Sequence, residues 1–254
     1  MKHVDLDKLE PKPARFGECQ GCAYLAGGSA AICFACASRD MEPLPSERCK
    51  VCDQRFILGK CPNIVCSFTD RHFDRVSAIS MRSGPLEAAI NRYKYEERRA
   101  WATIFGRILV GYLDDNPGYW WTFDFIVASP TYVGQGGRSW DHVGLVLEKA
   151  DVEAGGRWPF DVASPRAITQ VSPTERFVDK GWKERRAIAE GPLREALLVP
   201  DPDRVRGKRI VVFDDVFTEG LRMREVARAL VLAGASAVEE IVLARQPAPA
   251  EWGP

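Results

Sequence analysis

From residue 96 onward, apolar positions along the chain fall into alternating helical and extended periods. Trp101, Ile104, Phe105, Ile108, Leu109 and Tyr112 recur at helical spacing, so an amphipathic helix is expected over Glu96 to Tyr112. Asp114-Asp115-Asn116-Pro117-Gly118 then breaks the chain. Phe123 to Ser129 reads as a strand closed by Pro130. A glycine-rich loop, Gly134 to Arg138, leads to a second helix, with Ser139 as its expected cap and Val143, Val146, Leu147 and Ala150 on its buried face. The stretch from Gly155 to Arg176 is irregular apart from a short strand at Ile168–Val171, and Lys180 to Glu190 reads as a charged, exposed helix.

Arg209 to Phe213 is a β-branched apolar run that ends in Asp214-Asp215. A helix carrying Met223, Val226, Leu230 and Val231 follows and stops at Gly234, and Val238 to Leu243 forms a last strand. Strands alternating with helices predict an α/β fold with a parallel sheet.

Composition narrows the picture. The chain has 254 residues, 46% hydrophobic and 28% charged, with a formal net charge of +0. It can bury a core, and bulk electrostatics would not hold it on nucleic acid. No signal-like N-terminus and no apolar run near the ~20 residues of a membrane span is found, so a cytoplasmic protein without membrane attachment is expected. All eight cysteines lie between Cys19 and Cys66, as Cys19-x2-Cys22-x10-Cys33-x2-Cys36 and Cys49-x2-Cys52-x8-Cys61-x4-Cys66. Close pairs of thiolates suit tetrahedral zinc, and eight suit two structural ions. Sequential pairing, Cys19/Cys22/Cys33/Cys36 and Cys49/Cys52/Cys61/Cys66, closes the shorter loops; cross-braced pairing is also compatible with the spacing. Residues 1–75 are therefore expected to form a double zinc-ribbon module, and residues 76–254 the α/β domain. With 11 Lys+Arg against 10 Asp+Glu in residues 1–75, protein docking or bracing is favoured for the module over nucleic-acid contact.

The chemistry concentrates in Ile210-Val211-Val212-Phe213-Asp214-Asp215-Val216-Phe217-Thr218-Glu219-Gly220-Leu221-Arg222. A buried strand delivers two carboxylates to its carboxyl end, where open α/β sheets bind ligands. The turn after them opens a helix, whose N-terminal N–H groups suit a phosphate. This stretch resembles the ribose-phosphate signature of type I phosphoribosyltransferases. Together with the preceding cysteine module, it resembles the competence-protein ComF family. Local matches at Tyr93-Lys94-Tyr95, at Arg138 to His142 and at Glu184-Arg185 add to that resemblance.

The resemblance implies a type I phosphoribosyltransferase-like sheet flanked by helices, a phosphoribosyl pyrophosphate ligand with Mg²⁺, and transfer of the phosphoribosyl group. Asp214 and Asp215 would take the ribose hydroxyls. Thr218, Glu219, Gly220, Leu221 and Arg222 would form the 5′-phosphate loop, and Ser129, Thr131 and Arg138 would face pyrophosphate. Glu219 and Arg222 stand where the family has small residues or threonines, and Arg222 is expected to pair with Glu219 or with the phosphate. A non-catalytic ligand sensor or scaffold that docks a DNA-uptake helicase or another protein is the alternative. By position alone, Lys94, Arg185 and His142 read as surface residues, and Trp120-Trp121 as core or domain contact.

Overall fold

A computed structural model describes residues 41–248. Cys19, Cys22, Cys33 and Cys36, and so the first of the two expected zinc sites, lie outside the described residues. Four parallel strands form the sheet: β1 (Val76–Met81), β2 (Phe125–Ala128), β5 (Arg209–Phe217) and β6 (Ala237–Arg245), in the order β1-β6-β5-β2. Registers such as Ile126 opposite Val211 and Phe213 opposite Ile241 align their carboxyl ends along one edge. The expected α/β architecture with helices on a parallel sheet is present. A two-stranded antiparallel ribbon, β3 (Thr169–Gln170) with β4 (Leu197–Leu198), stands apart from it.

Three helices share a core with one face of the sheet: α1 (Gly84–Tyr95), α2 (Trp101–Asp115) and α3 (His142–Ala154). The apolar stripe of α2 is buried as expected, but the helix starts at Trp101. Residues 96–100 instead connect it to α1, with Glu97 at a left-handed φ of 52°. At the contact of α2 with α3, a Cβ on Gly106 would lie 2.7 Å from the Ala150 nitrogen, so a larger residue would force the two helices apart.

The cap of α3 is Asp141, whose carboxylate accepts the Gly144 N–H at 2.9 Å. Ser139, the expected cap, instead donates its hydroxyl to Glu97. Only half of the tryptophan pair is core: Trp120 is buried, while Trp121 is 66% exposed. The charged helix is shorter than expected, α4 (Trp182–Ile188), and continues as a π-helical turn, Ala189–Leu193.

The other face of the sheet packs on α5 (Leu221–Leu232) and on the cysteine segment. Cys49, Cys52, Val65 and Phe73 share a core with Val76, Ala78, Val212 and Phe217. The expected division at residue 75 therefore runs through continuous packing. Both margins of the sheet are occupied. Along β1, the N–H groups of Val76, Ala78 and Met81 donate to Val51 O, Asp53 Oδ2 and Glu42 O at 2.7, 3.0 and 3.0 Å. Along β2, Ile126 bonds Pro159 O and Asp161 N at 2.9 and 2.8 Å. No helix among the described residues is long and apolar enough to cross a membrane.

Candidate functional site

Alternation along β5 sends successive side chains to opposite faces of the sheet. Phe213 packs in the core shared with α1–α3, whereas Val212 packs in the core shared with α5. Asp215 follows Phe213 in this pattern, and Asp214 follows Val212. The two carboxylates therefore meet different partners.

Asp215 is buried against α1 and α3. The Lys94 ammonium of α1 lies 2.8 Å from its Oδ2, and His142 Nε2 of α3 lies 3.5 Å away. Burial alone would raise the Asp215 pKa, but Lys94 and His142 outweigh it and hold the carboxyl well below its ordinary range. His142 is held in turn by Tyr93, whose hydroxyl donates to the His142 carbonyl at 2.5 Å. Tyr93 itself packs edge-on against Trp140 at 4.8 Å. Lys94 and His142 are thus inward-facing partners of an acid rather than surface residues.

Asp214 is half-buried and accepts the Asp215 N–H at 2.8 Å. Burial and the charge of Asp215 push its pKa up. Behind it on β6, Glu240 is buried, and burial together with the Asp214 charge pushes its pKa well up. Of the three acids, Asp215 is the one held firmly as a carboxylate.

The loop after β5 turns into α5 at Gly220, whose φ of 86° is left-handed. A Cβ there would lie 2.5 Å from Phe217 Cζ, so both conformation and space call for glycine. No side chain caps α5, and its first intrahelical bond runs from Arg224 N to Gly220 O at 2.8 Å. The preceding N–H groups of the helix have no acceptor within it. Gly220→Ala is expected to destabilise the protein by about 2 kcal/mol, read as a lower denaturant midpoint at unchanged slope.

A cleft of about 580 Å³ opens at this carboxyl edge. It is lined by Asp214, Asp215, Thr218 and Arg222 from one side and by Ser129, Thr131 and Arg138 from the other. Glu219, Gly220 and Leu221 do not line it. Leu221 is buried in the core, and Glu219 forms an ion pair with Arg185 of α4. Arg185 is therefore a partner of the loop rather than a free surface charge. The expected Arg222–Glu219 pair does not form. The Arg222 guanidinium donates instead to the Pro130 carbonyl and, at 2.9 Å, to Gln170 Oε1, tying α5 to the loop after β2 and to β3.

The second cysteine set assembles. The sulfurs of Cys49, Cys52, Cys61 and Cys66 all lie within 4.8 Å of one another, with Cys52 and Cys61 3.7 Å apart. A zinc–thiolate tetrahedron with bonds of about 2.3 Å has edges of about 3.8 Å, so the four thiols fit this ion. The Arg245 guanidinium lies 3.7 Å from Cys52 Sγ, where its positive charge favours the metal-binding thiolate. All four ligand positions are filled by protein, which suits a structural ion.

Lys94, His142, Glu240 and Arg245 are the site residues that sequence patterns did not single out as functional. No known family profile matches the chain, and no curated protein matches it.

Proposed function

We propose that the protein binds phosphoribosyl pyrophosphate with Mg²⁺ in this cleft and transfers the phosphoribosyl group to an acceptor, as a phosphoribosyltransferase-like member of the ComF type. One observation carries the proposal. An acidic pair at the carboxyl end of a parallel strand leads, through a glycine turn, into an uncapped helix, and the acids share one cleft with Thr131 and Arg138.

In this proposal the N–H groups at the start of α5 and the Thr218 hydroxyl hold the 5′-phosphate. Asp214, the less restrained acid, takes the ribose hydroxyls. Asp215, fixed by Lys94 and His142, keeps a permanent negative charge beside the anomeric carbon as it gains oxocarbenium character. Thr131 and Arg138 hold the pyrophosphate in line for departure. Mg²⁺, when bound, neutralises the charge of that leaving group.

Zinc at the cysteine sites is structural, with two ions expected per chain, and a reducing cytoplasm would keep the thiolates available. A non-catalytic sensor that docks a protein partner, such as a DNA-uptake helicase, is favoured by one feature: Arg222 and Asp215 are already engaged with protein groups.

Calorimetric titration with phosphoribosyl pyrophosphate and Mg²⁺, combined with pyrophosphate release over a panel of bases and amines, tests the proposal. Saturable binding with turnover is expected. Binding without turnover would select the sensor, and absence of binding would remove both.

A further inference from the structure

Arg245, the last residue of β6, is 1% exposed. Its Nε donates to the Cys52 carbonyl at 2.8 Å, and its Nη2 lies 3.7 Å from Cys52 Sγ. Its Nη1 donates to the carbonyls of Phe217, Thr218 and Gln246 at 2.9, 2.7 and 2.9 Å. The guanidinium also lies over the Phe217 ring, 4.9 Å from its centre. This is the ring that a Cβ on Gly220 would strike. One buried side chain therefore touches a thiol of the four-cysteine site and the backbone that leads into α5.

The peptide group is planar and trans, so its C=O and N–H point in opposite directions. Holding the Phe217 and Thr218 carbonyls toward Arg245 turns the N–H groups of Thr218 and Glu219 away from it. Thr218 lines the cleft and Arg245 does not. The guanidinium thus sets which way the loop presents its donors. A planar fork can bridge two carbonyl-bearing segments at once, whereas an ammonium concentrates its donors at one point.

We infer that Arg245 is a positioning residue that couples the metal site at Cys49, Cys52, Cys61 and Cys66 to the conformation of loop 217–220. Metal at Cys52 fixes the guanidinium, and the guanidinium fixes the loop. The anchoring stands on the contacts above; its consequence for phosphoribosyl pyrophosphate rests on the function proposed in the preceding section. Coupling of this kind is reciprocal and has a typical strength of roughly 5- to 150-fold in affinity.

The test uses the full chain and follows amide hydrogen exchange at residues 217–220. Arg245→Lys, checked for zinc content and overall fold, is expected to exchange faster in this loop than wild type, with the central strands unchanged. Replacing zinc by cadmium in the wild type, which lengthens the metal–sulfur bonds, is expected to alter exchange in the same loop, and this response should be lost in Arg245→Lys. Affinity for phosphoribosyl pyrophosphate with Mg²⁺ should weaken in the variant on the order of tenfold. Unchanged loop exchange in Arg245→Lys would overturn the inference, as would a wild-type loop indifferent to cadmium. The cadmium comparison needs no substitution, so an indifferent wild-type loop overturns the inference even if the variant fails to fold. If the wild type binds no phosphoribosyl pyrophosphate, the proposed function fails, while the exchange results still decide the coupling.

Discussion

Stripping metal from Cys49, Cys52, Cys61 and Cys66 is expected to abolish the cooperative unfolding transition and bring the protein out of solution. Structural zinc contributes about 10–16 kcal/mol to small folding units, against about 5–15 kcal/mol of net stability for a typical domain. The segment that holds the cysteines also supplies Val51 O and Asp53 Oδ2 to the outer N–H groups of β1. Cys49 and Cys52 pack in the same core as Val212 and Phe217. Loss of the ion therefore loosens core contacts and bares an edge strand, a template for aggregation. Thermal unfolding and light scattering with and without a strong chelator read the effect. A metal-free protein with an unchanged midpoint would contradict it. Cys52→Ser should be the most damaging single change at the site, because Cys52 is fully buried and its sulfur also lies 3.7 Å from Arg245 Nη2.

The two adjacent acids are expected to respond to neutralisation with opposite signs in stability and the same sign in binding. Asp215 has a folded pKa below its unfolded value of about 3.9. Its stabilisation is therefore present above that pH and is lost as the pH falls through the folded value. Asp214 has a raised folded pKa, so its ionisation costs stability as the pH rises past the unfolded value.

Asp215→Asn leaves the Lys94 ammonium, only 15% exposed, without its carboxylate partner. Breaking such a pair costs about 3–5 kcal/mol. Asp214→Asn should instead stabilise the protein at neutral pH, since an amide oxygen can still accept the Asp215 N–H. Either change is expected to remove detectable binding of phosphoribosyl pyrophosphate. Denaturant midpoints at neutral and acidic pH check the signs. The gap between wild type and Asp215→Asn should close in acid, and an Asp214→Asn protein less stable than wild type at pH ~7 would refute the assignment. Adding Lys94→Met to Asp215→Asn should recover part of the loss, because it removes the orphaned charge.

Elements with one strong local signal were legible in the sequence. β5 announces itself by four apolar residues before two acids, and α2 by its stripe. The second cysteine set was legible because its ligands are close in sequence and close in space. β1 was missed because Val76-Ser-Ala-Ile-Ser-Met mixes small and polar residues that are buried only once β6 and the cysteine segment cover them. α1 did carry a signal: Leu86, Ala89, Ile90 and Tyr93 are all buried and stand at helical spacing behind Pro85.

Lys94 and His142 read as surface residues because each is one of several polar side chains in its own helix, and nothing in the local pattern sets it apart. What makes them site residues is the end of a strand more than seventy positions away. Arg245 was hidden in the same way. It follows an apolar run like any terminal charge, and only the fold brings it against Cys52 and Thr218. The Glu219–Arg185 pair shows the reverse problem. The Glu219 carboxylate, in a loop where the resembling family has small residues or threonines, is drawn away by an arginine on a helix whose position the sequence could not supply.

The covered margins of the sheet have a further consequence for self-association. With β1 sheathed by residues 42–53 and β2 by residues 159–161, the sheet offers a second copy no free backbone row to add to. Dimers built by continuing one sheet into another, and fibrils that grow by strand stacking, would first have to peel away a native segment. Among the described residues, association through the margins of this four-stranded sheet would therefore have to rely on side chains on helices and loops, and its strength should depend on their charge and shape rather than on main-chain pairing.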